Sequence, residues 1–120
     1  MVATVLLVDD HAGFRAQARV VLAAAGFDVV AEAEDAVRAL EMAPTLRPDI
    51  ILLDVQLPDG NGFDVARAIL DGDNPPIVIL ISSREAADYG TRIHRSGARG
   101  FISKAELSAS AVAALVRGDP

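Results

Sequence analysis

The sequence predicts an α/β fold, a doubly wound and parallel five-stranded sheet with the plan (βα)5. Five short apolar runs recur along the 120 residues, and most lack polar alternation, which is typical of strands covered on both faces. Segments with helical periodicity separate the runs. Strict alternation of strand and helix requires right-handed crossovers, with helices on both faces of the sheet. The runs are TVLLV (4–8), FDVVA (27–31), IILL (50–53), IVILI (77–81) and GFI (100–102).

The first helical segment has a clear apolar face. Phe14, Ala18 and Leu22 share that face, whereas Arg15 points away from it. Gly26 follows at the place where a helix commonly ends with a left-handed residue. The sequence therefore predicts a helix between the first and second strands.

The second and third helices are bounded by proline, asparagine and glycine. The second is predicted from about Asp35 to Ala43, because Pro44 argues for a stop there. The third is expected to begin after Asn61, a suitable N-cap, and to end at Gly72.

The last two helices differ in the strength of their pattern. A fourth helix is predicted from about Arg84 to Ser96, although this segment has few apolar positions. The last helix lies in ELSASAVAALVRG and is expected to bury Leu107, Val112 and Leu115. The closing letters VRGDP fit either the start of a linker or a true terminus.

Length and composition favour one domain over residues 1–120, with a core of Ala, Val, Leu and Ile. The chain contains no cysteine, which suits a reducing compartment. Its first apolar run is too short for a membrane span and lacks a basic n-region, so we expect a soluble, cytoplasmic protein without membrane contact. A formal net charge of −6 argues against direct binding of nucleic acid by this domain.

Polar side chains stand at the carboxyl ends of the predicted strands, where ligands bind to open parallel sheets. Asp9 and Asp10 follow the first strand, Asp54 ends the third, Ser82 ends the fourth and Lys104 follows the fifth. Each alone has an ordinary explanation, such as a helix cap, a turn residue, a loop hydroxyl or a solvated lysine. Together they indicate a functional edge of the sheet.

Three carboxylates that meet at one edge repel one another unless a cation joins them, and oxygen ligands favour Mg²⁺. Asp54, held at a strand end beside a metal ion and Lys104, is placed to attack phosphorus as a nucleophile. Ser82 can donate to an oxygen of the transferring phosphoryl group. The loop LPDGNG is expected to turn a backbone carbonyl toward the metal, because its glycines accept unusual dihedral angles.

These motifs resemble the receiver domain of two-component response regulators. The matching stretches cover the whole chain in order: LLVDDH, ILLDVQLPDGNG, ILISS and GARGFISKAEL. The last is most similar to receivers of the NarL/LuxR type. The resemblance implies the flavodoxin-like, CheY-like fold with strand order 2-1-3-4-5.

The resemblance also implies a role for each site residue. Asp54 is then the phosphoacceptor, and Mg²⁺ is bound by Asp10, Asp54 and the backbone carbonyl of Gln56, with Asp9 acting through water. Ser82 and Lys104 would bind the phosphoryl oxygens. Ser82 would also act as a switch residue, paired with an aromatic residue on the last strand.

Three positions depart from the commonest family pattern. Ser82 replaces the more usual threonine, and Ala105 follows Lys104 where proline is frequent, which leaves the cis or trans state of that peptide open. Phe101, the aromatic switch residue by resemblance, stands where many relatives have tyrosine. We therefore expect no phenol for a switched hydrogen bond.

The implied function is a signalling switch and not an enzyme in the usual sense. A sensor histidine kinase would supply the phosphoryl group, and the domain would catalyse its own phosphorylation and a slow autodephosphorylation. NarL/LuxR-type receivers usually precede a helix-turn-helix domain, so control of transcription is expected, with a possible homodimer through the fourth helix, fifth strand and fifth helix. The alternative is a stand-alone receiver that acts by protein interaction or as a phosphorelay intermediate.

Other uses of such a fold fit the residues less well. A flavin nucleotide needs a phosphate loop after the first strand, where this chain has Asp9 and Asp10. An aspartyl-phosphate phosphatase resembles Asp-x-Asp, and here Gln56 takes the second position. A receiver that is never phosphorylated would lack an acid or the lysine. His11 and His94 are expected to be ordinary helix residues, with His11 near the site entrance.

Overall fold

The computed structural model describes residues 2–118. Five parallel strands form one sheet in the order β2-β1-β3-β6-β7, and β4 pairs with β5 in a separate antiparallel hairpin. The strands are β1 (Thr4–Val8), β2 (Asp28–Ala33), β3 (Ile50–Asp54), β4 (Gln56–Leu57), β5 (Gly60–Asn61), β6 (Ile77–Ser82) and β7 (Gly100–Ser103). The predicted order 2-1-3-4-5 of the five sheet strands is therefore confirmed.

Helices cover both faces of this sheet. They are α1 (Ala12–Ala24), α2 (Ala36–Leu46), α3 (Gly62–Leu70), α4 (Arg92–Arg95) and α5 (Ala109–Arg117), and 3₁₀ turns lie at Ala86–Asp88 and Lys104–Glu106. No helix within residues 2–118 is long and apolar enough to cross a membrane. Residues 119 and 120, which end the predicted linker or terminus, lie outside the described residues.

The apolar core has two layers, one on each face of the sheet. Along β1, Val5 and Leu7 face the layer under α1 and α5, whereas Leu6 and Val8 face the layer under α2 and α3. All four side chains are fully buried. This double burial explains why the central strands lack the polar alternation of a strand with one wet face.

The second helix extends beyond its predicted end. Pro44 was expected to stop it, but α2 continues to Leu46 with Pro44 inside the helix. A proline in the last turn costs the helix a single backbone hydrogen bond. Arg47 then adopts a left-handed conformation, with φ of 47°, and ends the helix before Pro48.

The prediction of one long helix between Arg84 and Ser96 was wrong. This segment holds only the 3₁₀ turn and the four-residue α4. Gly90 interrupts them with φ of +57°, which is incompatible with a continuous right-handed helix. We call residues 83–99, which connect β6 to β7, the β6–β7 crossover.

Candidate functional site

The carboxyl ends of the strands gather acidic side chains at one edge of the sheet. Asp9 follows β1 directly, Asp10 comes next, and Asp54 is the last residue of β3. Ligand atoms of these three aspartates and of His11 all lie within 4.8 Å of one another. We call Asp9, Asp10 and Asp54 the acidic rim.

Asp54 is buried, and both of its carboxylate oxygens are in contact with donors. The backbone N–H of Gln56 donates to Oδ1 at 3.1 Å, and Lys104 Nζ lies 3.2 Å from Oδ2. Burial raises the pKa of Asp54 to about 6; the charge of Asp9 acts in the same direction, and the Gln56 and Lys104 contacts oppose it. Asp54 is therefore largely ionised at neutral pH.

Asp9 is fully buried, and one of its carboxylate oxygens accepts no hydrogen bond from residues 2–118. The backbone N–H of His11 donates to Oδ1 at 2.7 Å. Oδ2 lies 2.7 Å from Lys104 Nζ but accepts no hydrogen bond of good geometry. The ordinary alternative, in which an aspartate here caps the first helix, does not hold, because His11 is the N-cap and no side chain in the described part of the chain makes the capping hydrogen bond. The His11 side chain lies beside the acidic rim, with Nδ1 3.0 Å from Asp10 Oδ1.

The donor set of the acidic rim fits a hard divalent cation. Carboxylate oxygens from three aspartates are the ligands that Mg²⁺ prefers, and the poorly bonded Asp9 Oδ2 supplies a buried acceptor for a metal-bound water. Gln56, whose carbonyl was expected to complete the set, begins β4 two residues after Asp54, and its backbone N–H donates to Asp54 Oδ1. The acidic cluster could therefore hold a metal ion.

Lys104 bridges the two buried aspartates from the end of β7. Its ammonium group also lies 4.6 Å from the centroid of the Phe14 ring. Burial disfavours its charge, but the contacts with Asp9 and Asp54 outweigh burial, so the pKa of Lys104 is raised overall. The Lys104–Ala105 peptide is trans.

Ser82 ends β6 and is fully buried. The backbone N–H of Arg84 donates to its Oγ at 3.0 Å, and the hydroxyl of Tyr89 lies 2.7 Å from the same atom. The expectation that no phenol is available at this site was therefore wrong. Phe101 has no hydroxyl, but Tyr89 comes from the β6–β7 crossover and stacks edge-on against Phe101, with ring centroids 5.8 Å apart.

The loop after Asp54 needs glycine for a different reason from the one expected. Gly60 and Gly62 do not have positive φ angles. A Cβ on Gly62 would lie 2.5 Å from the carbonyl oxygen of Asp54, so this glycine permits a close approach of two backbone segments. Asp59 of the same loop accepts the N–H groups of Ala36 and Val37 and thereby ties the loop to the start of α2.

Several supporting residues were not predicted from the sequence. Arg15, expected to point away, is mostly buried: it donates to the carbonyl oxygen of Asp9 at 2.6 Å and pairs with Glu32. Phe14 was expected on the buried face of the first helix. Its contact with Lys104 was not predicted, because that contact depends on where β7 ends. Tyr89 lies in the segment where the sequence predicted a continuous helix that does not form. Gln56 and Arg84, which follow Asp54 and Ser82 by two residues, are exposed.

A five-stranded parallel α/β sheet with a buried aspartate, a bridging lysine and an acidic rim at one edge defines an α/β domain of the kind that the motifs predicted. The response regulator receiver domain matches residues 5–116, and the chain belongs to this family. The receiver identity expected from the motifs is therefore confirmed.

The chain is similar to both complete regulators and isolated receivers. It is 32% identical over 114 residues to the transcriptional regulatory protein DegU of Brevibacillus brevis, covering 94% of this chain and 48% of DegU. The chain spans about half the length of the curated relatives it matches. The receiver domain of NarL from Mycobacterium tuberculosis superposes with a TM-score of 0.86 at 32% identity, over 98% of each chain. The CheX–CheY–BeF3–Mg²⁺ complex of Borrelia burgdorferi matches at 0.83 and 27% identity, over 95% and 86%.

Proposed function

We propose that this receiver domain accepts a phosphoryl group on Asp54 from the phosphohistidine of a sensor histidine kinase. The observation that carries the proposal is the Asp54 carboxylate, buried at the end of β3, with Lys104 3.2 Å away and two further aspartates beside it. An Asp54 oxygen would attack phosphorus in line as the P–N bond to the histidine breaks, and the imidazole leaves with the electron pair and takes up a proton. Lys104 and Ser82 then contact the phosphoryl oxygens.

We assign Mg²⁺ to the acidic rim, with Asp10, Asp54 and the Gln56 carbonyl as ligands and Asp9 acting through water. When bound, the cation offsets negative charge on the phosphoryl group. Asp54, whose pKa of about 6 reflects burial, becomes easier to ionise when a cation is near. The BeF3 and Mg²⁺ of the Borrelia complex support this assignment by similarity.

The output proposed is control of transcription through a DNA-binding region outside these 120 residues. DegU is named a transcriptional regulatory protein, and the chain spans 48% of its length. We also propose that the domain forms a homodimer through α4, β7 and α5 and that it is located in the cytoplasm. The stand-alone receiver is the alternative. The domain limits 1–120 stay a prediction, as the family match covers residues 5–116.

We propose that the domain is a switch and not an enzyme with a turnover substrate. It would catalyse its own phosphorylation and lose the phosphoryl group slowly. Gln56 and Arg84 have long side chains next to Asp54 and Ser82, and in the proposed phosphorylated state they would hinder the approach of water.

Phosphorylation is testable with acetyl phosphate and Mg²⁺. Intact mass should rise by one phosphoryl group in the wild type and in the matched control Asp28→Asn, which alters an exposed aspartate of β2. The rise should vanish in Asp54→Asn and after chelation of Mg²⁺. An unmodified wild type in excess donor, or a modified Asp54→Asn protein, would contradict the proposal.

A further inference from the structure

The hydroxyl of Ser82 is already occupied by groups of the β6–β7 crossover. Its Oγ accepts the N–H of Arg84 and shares a hydrogen bond with the Tyr89 hydroxyl. A serine has one proton to donate. Either hydroxyl can be the donor in the contact with Tyr89. A phosphoryl oxygen on Asp54 would therefore compete with Arg84 and Tyr89 for Ser82 Oγ and its one proton.

Tyr89 connects this hydrogen bond to the surface. Its ring packs edge-on between Phe63, at the start of α3, and Phe101 of β7, with centroid distances of 5.3 and 5.8 Å. The guanidinium group of Arg92, in α4, lies 4.6 Å from the centroid of the Phe63 ring. A chain of direct contacts therefore links Tyr89 to α4.

We propose that Tyr89 is a positioning residue that holds Ser82 in the unmodified domain and releases it when Asp54 carries a phosphoryl group. The proposal rests on the proposed function at Asp54. A phosphoryl oxygen is a charged acceptor, and hydrogen bonds to charged groups are about twice as strong as neutral ones. The phosphoryl group therefore outcompetes the phenol for Ser82. Released Tyr89 then repacks against Phe101.

The sequence supplies a direct probe of this step. Tyr89 is the only tyrosine in the chain, and the chain has no tryptophan. Tyrosine emission should change as beryllofluoride and Mg²⁺ are added, with the same midpoint as the bound-fluoride signal in ¹⁹F NMR. Bound fluoride with unchanged emission would overturn the role of Tyr89 and leave the Asp54 proposal standing. A wild type that binds no beryllofluoride would overturn both.

The variant Tyr89→Phe keeps the ring and removes the hydroxyl. It should bind beryllofluoride about two- to tenfold more tightly, the ratio expected when one neutral hydrogen bond no longer opposes binding. In a Ser82→Ala background the same change should have no effect, because the partner is gone. Unchanged or weaker binding in Tyr89→Phe would contradict the proposal, as would an equal effect in both backgrounds. Circular dichroism of each variant establishes that it is folded.

Discussion

Two crossovers begin at the same edge of the sheet but differ in their packing. The first, after β1, is the 13-residue helix α1, which buries Ala18 and Leu22 completely. The second, the β6–β7 crossover, contains a 3₁₀ turn and a four-residue helix, and neither buries a residue. Segments with few buried apolar contacts open at lower free energy than core helices.

This difference separates two tasks at the candidate site. The α1 side holds groups in place: Arg15 fixes the carbonyl of Asp9, and Phe14 lies under Lys104. The crossover side holds Ser82 through Tyr89, a contact between two neutral hydroxyls. In the proposed switch, the residues that carry the chemistry lie on the better-packed side, and the element proposed to respond lies on the less well-packed side.

The largest effect should come from removing apolar side chains in each crossover. Leu22→Ala should lower the free energy of unfolding by about 2–5 kcal/mol, because Leu22 is fully buried and a cavity remains. Ile93→Ala in α4 should cost less, about 1 kcal/mol, since Ile93 is only partly buried. Urea unfolding followed by circular dichroism measures both. Equal losses would show that the two crossovers are equally well packed.

Two glycine substitutions should have smaller effects on stability, and the two effects should have opposite signs. Gly90 has φ of +57°, so Gly90→Ala should lower the free energy of unfolding by about 1 kcal/mol. Gly13 lies in α1 with open space around its Cβ position, so Gly13→Ala should raise it by about 0.5 kcal/mol. Thermal unfolding of both variants gives the signs. Increased helicity and stability in Gly90→Ala would mean that the long helix expected from the sequence is accessible.

Most features that depend on local patterns in the sequence were predicted correctly, and several features that depend on contacts between distant residues were not. Apolar runs such as residues 50–53 are local and doubly buried, so they identified the central strands. Asp54 could be placed at the rim because the carboxyl ends of parallel strands meet at one edge. The segment around Gly90 gave no such signal, since its polar residues fit a solvated helix as well as an irregular crossover.

The contact of Tyr89 with Ser82 could not be predicted from the sequence. This contact depends on a turn that brings a residue seven positions later back over the strand end. Glu85 and Asp88 form that turn through a backbone-to-carboxylate hydrogen bond. A spacing of seven is usually interpreted as two helical turns, which would have carried Tyr89 away from the rim.

The smallest effect should appear at the ion pairs of Glu32, which join α1 to β2. Arg19 and Arg15 both pair with Glu32. The hydrogen bond from Arg19 lowers the pKa of Glu32 most, burial opposes it, and Arg15 lowers the pKa further, so that it is lowered overall. Arg19→Ala should cost less than about 1 kcal/mol, because Arg19 is 47% exposed and solvent screens the pair. Arg95→Ala, in α4, is the matched control, as Arg95 forms no ion pair within residues 2–118.

The sign of the pH dependence makes this last comparison decisive. A carboxylate with a lowered folded pKa stabilises the protein above its unfolded pKa, and that stabilisation is lost as pH falls through the folded pKa. The difference in unfolding free energy between the wild type and Arg19→Ala should therefore be present at pH 7 and shrink at acidic pH or in high salt. Urea unfolding of the two proteins at pH 7 and at acidic pH measures this difference. A difference that persists in acid would assign the effect to packing of the Arg19 side chain on α1, which is independent of charge.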